Sequence, residues 1–152
     1  MNDRPILICY DGSADARRGI HAAAELFGTR RAIVLDVGPV LTAAESYAVM
    51  VSPAGASEFD ALNTAQALEV ATEGADIART AEIEAEPRTG LAEPTWQGIL
   101  DVADDVDAAV IVIGSRGLSA IREHFEGSLS HAVAQHSSRP VLIVPPLNES
   151  RG

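Results

Sequence analysis

The feature that most constrains the fold is an alternation of two hydrophobic periods along the chain. Five short apolar runs are separated by longer segments in which apolar residues recur at helical spacing. The runs are Pro5 to Tyr10, Ala32 to Val37, Ala81 to Glu86, Ala108 to Ile113 and Val141 to Val144. A strand and then a helix, four times over and closed by a fifth strand, predict right-handed crossovers and an α/β fold with one doubly wound parallel sheet.

The residue types of the runs predict where each strand lies. The first, second, fourth and fifth runs are nearly continuous Ile, Val and Leu, which is typical of strands buried on both faces. The third run alternates Ala-Glu-Ile-Glu-Ala-Glu, so that one of its faces is wet. We therefore expect the third strand at an edge of the sheet.

Four helices are expected between the strands. Ser13 can cap the first helix and Gly28 can end it, whereas residues 58–79 carry a weaker pattern that Gly74 weakens further. Pro94 is expected to open the third helix, and the fourth is expected to run from Ser128 and to stop before Pro140. The residues at helical spacing are Ala16, Ile20, Ala23 and Phe27 in the first helix, Phe59, Leu62, Leu68 and Ala75 in the second, Ile99, Leu100 and Ala103 in the third, and Leu129, Ala132 and Val133 in the fourth.

The chain shows no domain boundary. Its 152 residues suit one domain, predicted over residues 1–147, with a frayed tail over residues 148–152. The stretch from Gly38 to Ser57 has two prolines and no clear period, which indicates a long loop.

Composition excludes several classes of partner. The formal net charge of −11 repels nucleic acid and anionic membrane surfaces, so an anionic ligand needs a local positive potential at its site. The one cysteine, Cys9, cannot form an internal disulfide, and it lies in an apolar run. No stretch approaches the roughly 20 apolar residues of a membrane-spanning helix, and the first residues lack a signal-peptide layout. We expect a soluble cytoplasmic protein.

The segment richest in chemistry follows the fourth run. The strand Val110 to Ile113 leads into Gly114-Ser115-Arg116-Gly117, and Gly127-Ser128 opens a helix nine residues later. Glycines at a strand end let backbone N–H groups approach a phosphate, a helix start adds further donors, and Arg116 could add positive charge. The alternative, favoured for each residue alone, is that the glycines make a tight turn and Ser128 only caps its helix. The combination favours a phosphate site, although it matches neither a Walker A loop nor a dinucleotide fingerprint.

A second polar element stands at the end of the first run, in Tyr10-Asp11-Gly12-Ser13. If the first and fourth strands are neighbours at the switch point of the sheet, Asp11 faces the glycine loop. Its carboxylate could accept a hydrogen bond from a ribose hydroxyl or help to hold a metal ion. An Asx-turn that only precedes the Ser13 cap explains the same residues equally well.

These segments together resemble the universal stress protein family over nearly the whole chain. The spacing of the glycines matches in full the pattern that marks the ATP-binding branch of that family. Two residues separate Gly114 from Gly117, and nine residues separate Gly117 from Gly127-Ser128. The other similar segments are Ile6 to Ser13, Asp107 to Gly117, Gly127 to Val133 and Arg139 to Val144.

The resemblance implies a set of nucleotide-binding residues. It implies a ribose or magnesium contact at Asp11, adenine packing near Cys9 and Val37, and a base edge read by the backbone of Val37. Ile113 is expected among the residues that bind the nucleotide. It implies phosphate contacts at Gly114, Arg116, Gly117, Gly127, Ser128 and the Leu129 backbone. It also implies the strand order 3-2-1-4-5 and a homodimer through the last strand, which consists of Val141, Leu142, Ile143 and Val144.

Two residues depart from the family pattern near the adenine pocket. Asp36 precedes Val37 where the family often has His, which would change the polarity of the pocket. Cys9 stands where many members have a small residue or proline, which would narrow the pocket. Neither departure touches the glycine loop.

Other polar residues receive structural explanations. The histidines lack metal-ligand spacing, and the acidic residues before the fourth strand are expected to form a solvated turn. Trp96 is expected to pack rather than to stack on a base, whereas Arg122 and Glu123 either cover a bound phosphate or lie in a plain surface loop. The histidines are His21, His124, His131 and His136, and the acidic residues are Asp104, Asp105 and Asp107.

Three functions remain compatible with these residues. The first is a regulatory binding module whose ATP occupancy alters partner binding or stability in a stress response. The second is a slow ATPase or self-phosphorylating protein that uses the same pocket. The third is a dimeric interaction protein whose pocket is empty or holds AMP or cyclic AMP. We expect the module rather than the enzyme.

Overall fold

The structure, a computed structural model, describes residues 3–38, 47, 48, 51, 55–92, 94–115 and 129–146, and for residues 55–63 it describes the backbone alone. Its strands are β1 (Ile6–Tyr10), β2 (Arg31–Asp36), β3 (Glu84–Arg88), β4 (Val110–Gly114) and β5 (Val141–Val144). They pair in parallel in the order β3-β2-β1-β4-β5. The predicted class, strand order and edge position of the third strand are confirmed.

Helices cover both faces of this sheet in the described part of the chain. The helices are α1 (Ala14–Phe27), α2 (Gly55–Thr80), α3 (Thr95–Asp105) and α4 (Leu129–His136). Side chains of β1 alternate between the faces, so Ile8 and Tyr10 pack with α1 and α2, whereas Leu7 and Cys9 pack with α3 and α4. Two apolar cores result, one on each side of the central strands.

The ends of α1 are those that the sequence predicts. The Ser13 hydroxyl accepts a hydrogen bond from the Ala16 N–H at 3.1 Å, which satisfies one of the free donors of the first turn. At the other end, the Gly28 N–H donates to the Ala24 carbonyl at 3.0 Å. Pro94 directly precedes α3, also as expected.

Two boundaries differ from the prediction. The third strand begins at Glu84 rather than Ala81, because α2 continues to Thr80 and the chain then needs a turn. Glu82 has a φ of 67° in that turn. Helix α2 also begins earlier than predicted, at Gly55, within the predicted loop. Pro53 is the last proline before this helix, so the residues that follow it are free to be helical.

Gly74 lowers the helix propensity of α2, but its lack of a side chain lets the helix pack closely against the sheet. A Cβ at this position would lie 2.7 Å from Cδ1 of Tyr10 and 2.8 Å from Cγ1 of Val34. Of the residues that gave α2 its weak helical pattern, Leu68 is 49% exposed, whereas Ala75 is buried. Burial along α2 instead runs through Ala71, Ala75 and Ala78, near the C-terminus of the helix.

The expectation that the fifth strand is buried on both faces is wrong. Val144 is buried, but Val141 and Leu142 are only half-buried and Ile143 is 38% exposed. The reason is position, since β5 lies at the edge of the sheet and, within the described residues, β4 alone pairs with it.

At the amino end of the sheet, two arginines bind carboxylates and a backbone carbonyl that precede β4. Arg139 donates to the Asp104 carboxylate at 3.1 Å, to the Asp107 carboxylate at 3.0 Å and to the Ala108 carbonyl at 2.6 Å. Arg4 binds the same carbonyl at 3.0 Å. The acidic residues expected in a solvated turn are exposed, but they are ion-paired: Asp104 and Asp107 with Arg139, and Asp105 with Arg88.

None of the described helices is both long and apolar enough to cross a membrane. The predicted tail, residues 148–152, lies outside the described residues, as does most of the predicted loop from Gly38 to Ser57.

Candidate functional site

The carboxyl ends of β1 and β4 meet at the switch point of the sheet. The chain leaves β1 for β2 on one side and returns to β4 on the other, and β1 and β4 pair directly, with Ile8 opposite Val112. Asp11 follows β1 and Gly114 ends β4. The sequence predicts that Asp11 faces the start of the glycine loop if the first and fourth strands are neighbours. The structure shows that these strands are neighbours.

Asp11 forms the local turn that was one of its two interpretations. Its Oδ1 accepts a hydrogen bond from the Ser13 N–H at 2.8 Å, which sets up the cap of α1. This bond uses one of the two carboxylate oxygens. The other oxygen can still serve a ligand, so the turn and a ligand contact are compatible.

Gly114 has a steric role that the sequence did not reveal. A Cβ there would lie 3.1 Å from the carbonyl carbon and oxygen of Asp15, in the first turn of α1. Glycine therefore lets the end of β4 approach the start of α1. The next residue, Ser115, donates its N–H to the Val144 carbonyl at 3.0 Å.

Ser115 also carries an unusual hydroxyl. Its Oγ is buried, and no hydrogen-bond partner for it is found in the described part of the chain. A buried polar atom without a partner is costly, so it commonly marks a place where water or a ligand completes the bonding. Sequence reasoning did not select Ser115, although its position between Gly114 and Arg116 was a signal.

Four of the predicted site residues share one apolar face. Cys9, Val37 and Ile113 belong to the buried cluster between the sheet and helices α3 and α4, and Leu129 packs against that cluster. Val37 continues the line of β2 and donates its N–H to the Tyr10 carbonyl at 2.9 Å. The remaining predicted residues, Arg116, Gly117, Gly127 and Ser128, lie outside the described residues.

Two carboxylates stand at neighbouring strand ends on the rim of this face. Asp36 lies opposite Tyr10 in the pairing of β1 and β2, and its Oδ1 accepts the Gly38 N–H at 2.9 Å. Burial raises the pKa of the half-buried Asp36 carboxyl, and the nearby charge of Asp11 raises it further. The sequence singled out Asp36 only as a departure from a pattern, yet parallel pairing of β1 and β2 was enough to put it beside Asp11.

The Cys9 thiol, below this rim, is buried. Burial, with a smaller contribution from the charge of Asp11, raises the pKa of Cys9 to about 12. The thiol is therefore protonated at neutral pH, and it acts as a small apolar side chain rather than as a nucleophile.

Some of the residues to which the sequence analysis gave a structural role lie in the described part of the chain. Trp96 packs against the apolar cluster and stacks on His136, which confirms its packing role. Within the described residues, no group of three or more His, Cys, Asp or Glu side chains could hold a metal ion. Arg122, Glu123 and His124 lie outside the described residues.

Comparison with known proteins agrees with this architecture. The model of the Universal stress protein family matches residues 3–145. Universal stress protein YxiE of Bacillus subtilis is 31% identical over 144 residues, which cover 91% of this chain and 97% of the relative. Universal stress protein Sll1654 of Synechocystis is 45% identical over 58 residues, covering 38% of this chain and 35% of the relative.

Solved structures show the same fold. The hypothetical protein MJ0577 has a TM-score of 0.70 at 21% identity, with 98% of this chain and 100% of that chain covered. A universal stress protein from Archaeoglobus fulgidus has a TM-score of 0.66 at 25% identity, with 92% and 97% covered. A universal stress protein solved in complex with cAMP has a TM-score of 0.57 at 24% identity, with 93% and 96% covered. The family match over nearly the whole sequence, on a sheet of the expected order, shows that this chain belongs to the universal stress protein family.

Proposed function

We propose that the chain binds an adenine nucleotide, ATP with Mg²⁺, at the carboxyl ends of β1, β2 and β4, and that it acts in the cytoplasm as a regulatory module of a stress response. The observation that carries the proposal is the meeting of Asp11 and Gly114 at the switch point, beside the apolar face of Cys9, Val37 and Ile113. Open α/β sheets bind ligands at this place.

The adenine half of the site rests on the apolar face. Cys9, Val37 and Ile113 are at most 7% exposed, so a flat, weakly polar base would lie against the carboxyl edge of this buried cluster, where Val37 is the most exposed of the three. The Val37 N–H is already bound to Tyr10, so the backbone group of Val37 that would read the base is its carbonyl oxygen. A carbonyl accepts from the amino group of adenine, whereas hypoxanthine has a carbonyl there and no donor.

The phosphate half rests on the sequence pattern and on the start of α4. Arg116, Gly117, Gly127 and Ser128 complete the family's glycine pattern, and α4 begins at Leu129 directly after them. Backbone donors of this kind, together with Arg116, supply the positive potential that a net charge of −11 otherwise denies an anion. Asp11 would hold the ribose or, through the nucleotide, a magnesium ion.

The family relative solved with cAMP supports the adenine nucleotide class rather than ATP alone. Titration calorimetry with MgATP, ATP without metal, AMP and cyclic AMP separates these ligands. We expect saturable binding of MgATP, and binding of inosine triphosphate at least about tenfold weaker, because the Val37 carbonyl would then lack a donor. Absence of binding for every adenine nucleotide at millimolar concentration would overturn the proposal.

Matched variants locate the site. Asp11→Asn keeps an oxygen for the Ser13 N–H and loses the charge, so we expect about tenfold weaker MgATP binding with the fold retained. Asp107→Asn, at the amino end of the sheet, is the control and should bind normally. Gly117→Val and Gly127→Val test the predicted phosphate contacts, with circular dichroism as the control for folding.

We propose binding rather than catalysis, because the backbone N–H groups and Arg116 would bind ATP in its ground state and in the transition state of hydrolysis with similar strength. Phosphoryl transfer also needs a positioned nucleophile. We expect ATP turnover far below the roughly 1 to 1,000 per second of typical enzymes. Steady turnover in that range, lost in Glu123→Ala or His124→Ala with ATP affinity retained, would favour the alternative enzyme.

We also propose a homodimer through β5. The two edges of the sheet differ, since β3 carries Glu84, Glu86 and Pro87, which protect an edge, whereas β5 is Val-Leu-Ile-Val. Ile143→Lys should therefore give a monomer in sedimentation experiments at micromolar concentration. Leu68→Lys replaces an exposed leucine of α2, beside the other edge, and should leave the dimer intact. A monomeric wild type would contradict the proposal.

A further inference from the structure

The hydrogen bonds between β4 and β5 determine which backbone groups of β5 point away from the sheet. The Ile111 N–H donates to the Pro140 carbonyl at 3.0 Å, and the Ser115 N–H donates to the Val144 carbonyl at 3.0 Å. Pro140 and Val144 therefore direct their carbonyls towards β4. Residues two apart on a strand direct their backbone groups to the same side, so Leu142, midway between these two, is also bonded to β4.

Val141 and Ile143 direct their N–H and C=O groups to the outer side of β5, because they alternate with the residues that are bonded to β4. Val141 is half-buried and Ile143 is 38% exposed. Within the described residues no strand lies on this outer side, since β5 is the last strand of the sheet. Unpaired backbone groups beside apolar side chains are a surface to which another strand can add.

The outer edge of β5 is limited to these two residues by what stands at each end. Before it, the Ser137 hydroxyl accepts from the Arg139 N–H and donates to the Arg139 carbonyl, both at 3.0 Å. Arg139 is the preceding residue that points outward, and both of its backbone groups are therefore bound already. After the edge, Pro145 has no N–H to donate. An added strand finds a full set of free donors and acceptors only at Val141 and Ile143.

An identical copy of β5 fits this edge in one register. Two equal strands that pair about a two-fold axis run antiparallel, with the axis perpendicular to the sheet. Antiparallel strands bond through pairs of residues that exchange both N–H···O bonds. With the axis at Leu142, Val141 pairs with the partner's Ile143, and Ile143 pairs with the partner's Val141. Every outward group of the two residues is then bonded.

The neighbouring registers leave groups without a partner. With the axis at Ile143, Val141 would lie opposite the partner's Pro145, which has no N–H for the Val141 carbonyl. With the axis at Val141, Ile143 would lie opposite the partner's Arg139, whose backbone groups are bound to Ser137. An axis between two residues would bring outward groups opposite groups that are bonded to β4.

The same register covers the apolar side chains of β5. Leu142 packs with the core on the α1 side of the sheet, and Val141 packs with the core on the α3 side. On the α3 side, Ile143 would lie beside the partner's Val141. On the α1 side, the two Leu142 side chains would meet across the axis, in a non-hydrogen-bonded pair whose Cα atoms are about 4.5 Å apart.

We propose that β5 pairs antiparallel with β5 of a second copy of this chain, about a two-fold axis at Leu142. This inference rests on the proposed homodimer, to which it adds the direction of pairing, the register and the residue on the axis. One continuous sheet results, with α1 of both copies on the same face and the carboxyl ends of the two halves pointing in opposite directions.

Mild oxidation of full-chain variants with one added cysteine tests the register. A disulfide needs Cα atoms less than about 7 Å apart, which the proposed register gives to Leu142 and its own copy. Leu142→Cys should therefore form a disulfide-linked dimer at least about tenfold faster than Val141→Cys or Ile143→Cys, whose copies are diagonal neighbours about 7–8 Å apart. The wild type is the control, since its one cysteine, Cys9, is buried and should not be linked.

A mixture of two variants gives a second test in which Leu142 stays intact. The proposed register brings Val141 and the partner's Ile143 to about 5.5 Å between Cα atoms, within reach of a disulfide. Val141→Cys mixed with Ile143→Cys should therefore be linked as a heterodimer at least about tenfold faster than either variant alone. No other register places these two positions opposite each other.

Each outcome identifies what fails. If Ile143→Cys or Val141→Cys alone is linked fastest, the axis lies at that residue and the proposed register is wrong. A wild-type dimer whose variants are not linked in either test would pair through another surface, which also overturns the proposal. A wild type that sediments as a monomer at micromolar concentration overturns the homodimer itself. Nucleotide binding enters none of these measurements, so MgATP titration decides the proposed ligand separately.

Discussion

Two aspartates mark the two ends of the sheet, and the fold affects them in opposite ways. At the amino end, the hydrogen bond from Arg139 is the largest of the effects that hold the pKa of Asp107 below its usual range. At the carboxyl end, burial raises the pKa of Asp36, and the charge of Asp11 adds to it. The fold therefore favours the ionised form of Asp107 and disfavours the ionised form of Asp36.

If the proposed function is right, the difference separates the end of the sheet that contributes stability from the end that would bind the nucleotide. At the amino end, the carboxylates and the carbonyl of Ala108 have arginine partners, as expected of a region that holds strands together. At the carboxyl end, Asp36 lies beside Asp11, and the buried hydroxyl of Ser115 has no partner within the described residues. Such unfavourable polar groups persist where a ligand makes use of them.

The largest expected effect concerns the reactivity of Cys9, and it tests whether water is excluded from the apolar residues just below Asp11. Cys9 lies just below Asp11 with a pKa of about 12, so its thiolate is scarce at pH 8. We expect iodoacetamide to alkylate native Cys9 roughly a thousandfold more slowly than the unfolded chain in urea. Rapid alkylation of the native protein would mean that water reaches the thiol, and the dry apolar face would be wrong.

The next effect concerns the amino end, where the comparison predicts a loss of stability without a loss of binding. Arg139→Met removes a charged donor from the Ala108 carbonyl and should cost about 1–2 kcal/mol in urea unfolding. Nucleotide affinity should not change, because the residue lies at the opposite end of the sheet from Gly114.

Arg31→Met is the matched control for that substitution. Arg31 starts β2 at the same end, but its ion pair with Glu86 is 3.5 Å long and solvent-exposed. It should change the free energy of unfolding by less than about 0.5 kcal/mol. If both variants lose the same stability, the arginine cluster at the amino end has no special role.

The sequence predicted the sheet far better than it predicted this division between its ends. Continuous apolar runs determine strands, and Ser13 and Gly28 determine the ends of α1, because each of these signals is local. The exposure of β5 and the ion pairs of Arg139 depend on which strand lies at the edge and which loops meet. Those contacts join residues that are more than 30 positions apart, so periodicity does not reveal them.

The candidate site was predicted in part for the same reason. Asp11 and Gly114 follow strands, and a parallel sheet brings strand ends together, so the pair could be expected. The tight contact that a Cβ at Gly114 would make with Asp15 could not be expected, since it depends on how closely α1 approaches β4. Asp36 needed only the register of β1 and β2 to be placed beside Asp11.

A smaller effect, of opposite sign, is expected from Asp36→Asn. Because the folded chain raises the pKa of Asp36, its ionised form costs stability at pH 7, and that cost disappears as the pH falls and the carboxyl gains its proton. Asparagine keeps an oxygen for the Gly38 N–H. We expect a gain of up to about 0.5 kcal/mol in urea unfolding at pH 7, and none in acid. A loss of stability at pH 7 would mean that the Asp36 charge is favourable.

The smallest effect is expected from Asp107→Asn, which completes the comparison between the two aspartates. Asparagine retains an oxygen that can accept from Arg139, and the carboxylate is 65% exposed, so only a screened charge is lost. The pKa of Asp107 is lowered by folding, so its contribution is present above the usual range of a carboxyl and is lost as the pH falls through the lowered value. The variant should therefore unfold at a slightly lower urea concentration than the wild type at pH 7, and the difference should shrink towards pH 3. If instead Asp107→Asn and Asp36→Asn shift the urea midpoint in the same direction at pH 7, the two ends of the sheet do not differ in how they hold a carboxylate.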